Sequence, residues 1–290
     1  MIGPRRIRTI SRAALIAAAF ALGACGATIG TLDLTGSHPD QDTAQAATPT
    51  NLASLTEVVQ RNPNDAQAYN MRGSVLGRAQ RNQEALADFD RAIALDANYT
   101  QAYANRGQVH RQTSKLDLAL ADYNKALLLD QNYAAAYLGR GLVYRQQSRA
   151  LDSLNDFNRA IQISPNNGQA YYNRGLLYQA QGQHKYAIDD FTTSIGLIQQ
   201  QAEPYVARGL SQIALGEMKE AASDLDSAVQ IEPLSLTAWT SRGLAYERLG
   251  DKEKAAGSYA KALNINKEHD PAKKGFARVG GKAGTTYQTF

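Results

Sequence analysis

A glycine recurs every thirty-four residues through most of this chain, and an arginine directly precedes each one. The glycines are Gly73, Gly107, Gly141, Gly175, Gly209 and Gly243. A fixed period of this length is typical of one supersecondary unit that has been copied several times. Each unit is too small to bury its own apolar face, so the copies must stack on their neighbours. The period therefore predicts a repeat architecture built by stacking.

Within each unit, large and small side chains follow one another at helical spacing. An aromatic residue stands four positions before the glycine, and a small, a bulky and a second small residue stand twelve, sixteen and nineteen positions after it. In the third unit these are Tyr137, Ser153, Phe157 and Ala160. Residues three or four apart share one helix face, so both halves of the unit are predicted to be amphipathic helices packed small against large. In the last three units a further glycine, seven residues after the first, marks the expected end of the first helix.

These features together resemble the tetratricopeptide repeat family, whose units are helix-turn-helix hairpins with an aromatic, a glycine and an Ala…Phe/Tyr…Ala second helix. The resemblance covers residues 66–269, six units of thirty-four residues. It implies an all-α fold, a right-handed α-solenoid whose first helices line a concave groove. Residues 51–65 resemble the second helix of a degenerate leading half repeat, and residues 270–279 are predicted to form a capping helix. We expect residues 280–290 to be a disordered tail.

Residues 1–24 are interpreted as a lipoprotein signal peptide. A group of arginines precedes an apolar run, Ala13–Leu22, that is too short to span a bilayer as a mature helix. These arginines are Arg5, Arg6, Arg8 and Arg12. They account for the whole formal net charge of +4, so the rest of the chain is balanced and its charge does not indicate a nucleic-acid partner.

The residues Leu22-Gly23-Ala24-Cys25 resemble the lipobox of bacterial lipoproteins. The resemblance implies cleavage before Cys25 and attachment of lipid to its thiol and to its new amino group. Cys25 is the only cysteine in the chain, which excludes a disulfide within one chain. The alternative is an ordinary signal peptide followed by an incidental cysteine. Residues 25–50 contain few bulky apolar residues and are predicted to form a disordered tether.

The residue after the expected anchor bears on the cellular location. Gly26 is not the aspartate that retains many enterobacterial lipoproteins in the inner membrane. By that resemblance we expect a lipid anchor in the outer membrane, with the protein facing the periplasm. The periplasmic face of the inner membrane is the alternative.

The sequence shows no pattern typical of a catalytic, metal or cofactor site. The four histidines are spread over the tether and separate units and have no second ligand at helical spacing. Phosphate-loop, GxSxG and HExxH motifs do not occur. An aspartate follows the glycine by fifteen residues in the first five units, and we interpret it as the structural partner of the arginine, because a functional site is normally built once. A hydrolase or transferase is therefore disfavoured.

The first-helix residues that escape the core pattern form the groove stripe, at offsets of minus six, minus two, plus one, plus four and plus five from the glycine. We select as candidate partner-binding residues, from this stripe and one position beside it, Gln101, Asn105, Gln108, Arg111, Arg145, Tyr172, Asn173 and Gln179. Side-chain amides both donate and accept hydrogen bonds, so the stripe suits an extended polypeptide. The alternative is that these polar residues only solvate an exposed face.

Two functional hypotheses follow, both with proteins as partners. The first is a non-catalytic, lipid-anchored periplasmic adaptor that binds peptide segments of cell-envelope proteins in its groove. The alternative is a pilotin-like assembly factor for an outer-membrane secretin or another envelope complex. The lysines of the family's carboxylate clamp are missing from the stripe, and only Asn105 and Asn173 match the asparagine ladder of its sugar-transferase members.

Overall fold

The computed structural model describes residues 49–198, 200–282, 284, 285 and 287. Every regular element in these ranges is an α-helix, so the predicted all-α class is confirmed. The expected signal peptide, Cys25 and the tether as far as residue 48 lie outside the described residues.

The described helices form a leading helix, a series of hairpins and a closing helix. The leading helix α1 is Pro49–Arg61, which begins two residues before the expected half repeat. The hairpins are α2 (Ala66–Arg78) with α3 (Asn82–Leu95), α4 (Thr100–Gln112) with α5 (Leu116–Leu129), α6 (Ala134–Gln146) with α7 (Ala150–Ile163), α8 (Gly168–Ala180) with α9 (His184–Leu197), α10 (Ala202–Leu215) with α11 (Met218–Ile231), and α12 (Leu236–Leu249) with α13 (Lys252–Ile265). The closing helix α14 is Asp270–Arg278.

The hairpins stack in chain order. Each first helix packs along the second helix of its own hairpin, and that second helix packs on the first helix of the next hairpin. In four of the five neighbouring pairs, such as α4 with α6, first helices contact each other more extensively than any neighbouring second helices do. The first helices therefore line the inner, concave side of the stack, as the α-solenoid architecture requires.

The residues that recur at fixed offsets from the period glycine form the core of each unit. In the third hairpin Ser153, Phe157 and Ala160 are fully buried. The Phe157 ring lies against Gly141, where a Cβ atom would come within 2.7 Å of the ring carbon Cε1. The period glycine is therefore needed because the bulky residue of the second helix occupies the space of a side chain.

The residue seven positions after the period glycine adopts a left-handed conformation in every hairpin. Gly182, Gly216 and Gly250 have φ values of 72°, 84° and 85°, which confirms the predicted helix ends. In the first three hairpins this place is taken by Gln80, Ser114 and Ser148, with φ values of 58°, 58° and 59°. These side chains gave no signal of the turn in the sequence, although the backbone is the same.

Replacing Gln80, Ser114 and Ser148 together by glycine is expected to stabilise the protein. A left-handed non-glycine residue costs about 1 to 2 kcal/mol, and the extra unfolded-state freedom of glycine returns about 0.5 to 1 kcal/mol of this. We expect a net gain of about 0.5 kcal/mol per site and a higher melting temperature. Gln147→Gly is the matched control, since Gln147 precedes Ser148 and has φ of −83°. That variant should melt lower, and a triple variant that also melts lower would contradict the prediction.

The closing helix α14 covers the last hairpin. Phe276 packs on the core of the final hairpins, and Tyr287 of the expected disordered tail contacts it edge-on, with ring centroids 5.9 Å apart. Arg278 donates hydrogen bonds from Nε and Nη2 to the two carboxylate oxygens of Glu247, at 2.7 and 2.9 Å. Tyr259 Oη donates to the same carboxylate at 2.6 Å. These bonds fasten α14 to α12.

Acidification is expected to loosen α14. The hydrogen bonds from Arg278 hold the pKa of Glu247 below its ordinary value, against the opposing effect of partial burial. The stabilising contribution is therefore complete above the ordinary glutamate pKa of about 4.3 and is lost as the pH falls through the lower pKa of the folded state. Amide hydrogen exchange in α14, corrected for intrinsic rates, should be faster near pH 3 than near pH 6. Glu247→Gln should weaken this pH dependence, and equal protection of wild-type α14 at both values would contradict it.

Candidate peptide-binding groove

The arginine before each period glycine fixes the first helix in place. In the third hairpin Arg140 donates from Nε and Nη2 to the carboxylate of Asp156, each at 2.8 Å, and its Nη1 donates to Asn124 of the preceding hairpin at 2.7 Å. The guanidinium also lies 5.5 Å from the centroid of the Tyr137 ring, within cation-π distance. One side chain thus joins three helices, which confirms the structural interpretation of the aspartates.

The same arrangement recurs along the stack. The arginine–aspartate pairs within hairpins are Arg72–Asp88, Arg106–Asp122, Arg140–Asp156, Arg174–Asp190 and Arg208–Asp224. The bonds to the preceding hairpin join Arg106 to Asp90, Arg140 to Asn124, Arg174 to Asn158, Arg208 to Thr192 and Arg242 to Asp226. In the sixth hairpin Ser258 replaces the aspartate and accepts from Arg242 at 2.7 Å, so Asp226 carries the ion pair there. The cation-π contact between the arginine and the aromatic residue was not predicted from the sequence. The aromatic residue nevertheless stands three positions before the arginine in every unit.

Several candidate residues of the groove stripe bond to the protein itself. Asn105 Nδ2 donates to Asn70 Oδ1 at 3.0 Å and to Ser74 Oγ at 3.2 Å on the preceding first helix. Gln179 Nε2 donates to the Ala207 carbonyl and to Ser211 Oγ on the next first helix, both at 2.8 Å. These amides therefore connect neighbouring first helices.

The expectation that the candidate residues all escape the core is wrong for Arg111, Tyr172 and Asn173, which are buried. Asn173 donates to the carbonyl of Gln169 at 2.7 Å in its own helix, so it does not project as a rung of an asparagine ladder. Tyr172 packs against Phe191, with ring centroids 5.9 Å apart. The physical reason is the close packing of first helices on the concave side, where a side chain that points towards the next hairpin is covered by it.

An open cavity of about 140 Å³ lies in the groove between the first two hairpins. Its polar lining includes Ser74, Asn105, Gln108 and Gln112, and its apolar lining includes Val109. Gln101 and Gln108 are exposed on the same helix, α4. The structure thus brings exposed amide groups together beside an apolar surface, which is the arrangement that suits an extended peptide.

Arg111 and Arg145 occupy equivalent positions in successive first helices, α4 and α6. Each has a buried guanidinium nitrogen without a hydrogen-bond partner, Nε in Arg111 and Nη1 in Arg145. Burial lowers the pKa of Arg145, the neighbouring positive charge of Arg111 lowers it further, and the ring of Tyr172 acts in the opposite direction. The two cations are therefore close enough to repel each other.

Metal-ion sites and membrane-spanning helices place their own requirements on the described residues. They contain no group of three or more His, Cys, Asp and Glu side chains placed to hold a metal ion. None of the helices described is both long and apolar enough to cross a bilayer.

Family models match most of the chain. Models described as TPR repeat match residues 107–148 and 141–182. Models described as tetratricopeptide repeat match residues 52–102 and 206–271, and a further one matches residues 168–201. No curated protein matches the chain.

Solved structures share the fold. YrrB, described as a TPR protein with an unusual peptide-binding site, is 27% identical over 64% of this chain and 96% of its own, with a TM-score of 0.56. MamA is 27% identical over 58% of this chain and 92% of its own, with a TM-score of 0.52. PilF of Pseudomonas aeruginosa has a TM-score of 0.69 over 76% of this chain and 99% of its own, but at 18% identity it supports the fold alone.

Proposed function

Because this chain belongs to the tetratricopeptide repeat family, whose repeats generally act as non-catalytic scaffolds for other proteins, we propose that it is an adaptor for cell-envelope proteins. Extended peptide segments of its partners bind along the concave first helices. The observation that carries this proposal is the groove cavity lined by Asn105 and Gln108 beside exposed Gln101. The peptide-binding site described for YrrB, at 27% identity, supports a peptide ligand for this chain.

The proposal includes a lipid anchor that holds the adaptor at the periplasmic face of the outer membrane, with the inner membrane as the alternative. It rests on the lipobox-like residues that end in Cys25. Several acyl chains, at about 0.8 kcal/mol per buried methylene, hold a protein on a bilayer where one chain is marginal. Radiolabelled palmitate should label the wild-type protein and not Cys25→Ser. Labelling of both forms, or of neither, would contradict the anchor.

Site-specific photo-crosslinking tests the groove as the binding surface. A photoreactive amino acid at Gln108 on α4 should crosslink to partner proteins in intact envelopes. The matched control is Gln83, another exposed glutamine, on the second helix α3. Crosslinks from Gln83 with none from Gln108 would place the partner elsewhere and contradict the proposed binding surface.

The same crosslinked products separate the adaptor from the assembly factor. An adaptor should crosslink to several soluble envelope proteins. A pilotin-like factor should crosslink to one outer-membrane subunit, and that subunit should fail to oligomerise when the protein is deleted. The second pattern would replace the adaptor by the assembly factor.

A further inference from the structure

The pair Arg111 and Arg145 is the least satisfied charged cluster of the groove. Arg111 is only 9% exposed, yet its Nε has no hydrogen-bond partner, and the buried Nη1 of Arg145 has none either. Among the described residues no carboxylate forms an ion pair with either arginine, in contrast to the period arginines. A buried guanidinium without a counter-charge is costly, and a carboxylate from outside the folded chain would offset this cost.

A tyrosine near Arg111 fills a gap in the next first helix. Burial raises the pKa of Tyr123 on α5 to about 12, and the nearby positive charge of Arg111 opposes this rise. At Gly139 on α6, an added Cβ atom would come within 2.6 Å of Tyr123 Oη. The absence of a side chain at position 139 therefore leaves room for the tyrosine ring and hydroxyl against α6.

The end of the stack repeats this arrangement with a complete set of charges. Glu247, Tyr259, Gly275 and Arg278 follow Arg111, Tyr123, Gly139 and Leu142 by the same interval in the sequence. There Tyr259 again faces a glycine, and its hydroxyl donates a hydrogen bond to Glu247. Arg278 supplies the charge opposite to that of Glu247. At the earlier position the groove residue is the cation Arg111. Leu142 occupies the place that corresponds to Arg278, so no counter-charge is supplied there. The site therefore has an internal counterpart that shows which component it lacks, namely a counter-ion.

We propose that Arg111 and Arg145 together bind a carboxylate of the polypeptide that occupies the groove, contributed by an aspartate, a glutamate or the chain terminus. This inference rests on the proposed function and specifies the chemistry of the partner. Guanidinium groups bind carboxylates through paired, charge-assisted hydrogen bonds, and no carboxylate of the described residues forms an ion pair with either guanidinium. Burial and then the carboxylate of Glu203 raise the pKa of Tyr172, and Glu203 is not among the charges that shift the pKa of Arg145.

A synthetic peptide array tests the proposal on the full-length protein. Each acetylated dodecapeptide is presented with acidic residues and with the corresponding amides, and with a free or an amidated carboxyl end. The comparison of these forms separates side-chain carboxylates from a terminal carboxylate. Arg111→Gln/Arg145→Gln removes the donors, and Arg111→Lys/Arg145→Lys keeps the charge but not the paired geometry. Arg61→Gln/Arg91→Gln is the matched control, since it removes two exposed arginines that lie outside the first helices, on α1 and α3.

Wild type and the matched control should prefer the peptides that carry a carboxylate. The Arg111→Gln/Arg145→Gln variant should bind these peptides at least about tenfold more weakly, as expected for the loss of a charge-assisted hydrogen bond, and should bind the neutral forms unchanged. The lysine variant should show an intermediate loss. A carboxylate preference that survives in the glutamine variant, or wild-type binding without such a preference, would overturn the inference and leave the adaptor intact. Failure of wild type to bind any peptide would overturn the proposed function itself.

Discussion

Phe157→Ala is expected to lower the free energy of unfolding by about 4 kcal/mol, as for other large-to-small changes at fully buried aromatic residues. Phe157 has no exposed surface and lies between the two helices of the third hairpin, against Gly141. Removing the ring leaves a cavity that the helices cannot close, because each is also held by its neighbours. Relative to wild type, amide hydrogen exchange should accelerate most in α6 and α7, since hairpins of a stack interact only with adjacent ones.

The chain supplies the matched control for this change. In the fifth hairpin Leu225 occupies the place of Phe157 and is fully buried beside Gly209. Phe157→Leu should therefore cost about 1 to 2 kcal/mol, clearly less than alanine. Equal melting temperatures for Phe157→Ala and wild type would show that the hairpin core does not hold the stack together.

Asp156→Ala is expected to lower the free energy of unfolding by about 3 kcal/mol, near the lower limit for breaking a buried ion pair because Arg140 keeps some solvent contact. The Asp156 side chain is 7% exposed and that of Arg140 is 21% exposed. The substitution leaves the guanidinium with Asn124 and the Tyr137 ring as its partners. Thermal melting would measure the loss.

Asn124→Ala is the control for Asp156→Ala, since it removes the neutral acceptor of the same guanidinium at an exposed position. Its effect should be below about 1 kcal/mol. A double substitution, Arg140→Met with Asp156→Leu, should recover much of the stability, because the cost of the single change comes from an unpaired buried charge. A double variant as unstable as Asp156→Ala would contradict that explanation.

The hairpins, their cores and their ion pairs were predictable because they depend on spacing within one unit. Gly141, Phe157 and Asp156 recur at fixed offsets, and a periodic requirement is visible in a single sequence. The groove was predicted less well, since it depends on the distance between units. The burial of Asn173 follows from contact with neighbouring helices, and the position of Tyr123 depends on one missing side chain at Gly139. Neither effect recurs in every unit, so the repeat pattern did not reveal it.

The hydrogen bonds from the arginines to the preceding hairpin give the stack a direction, and this direction affects folding during synthesis. The arginines that precede the period glycines from Gly107 onwards each bond a residue of the preceding hairpin, whereas Arg72 in the first hairpin bonds Asp88 of its own. A newly emerging hairpin thus finds its acceptor already in place, and a chain shortened from its carboxyl end keeps every remaining bond of this kind. Shortening from the amino end instead deprives the new first arginine of its acceptor. Assembly during synthesis can therefore proceed hairpin by hairpin without waiting for the remainder of the polypeptide.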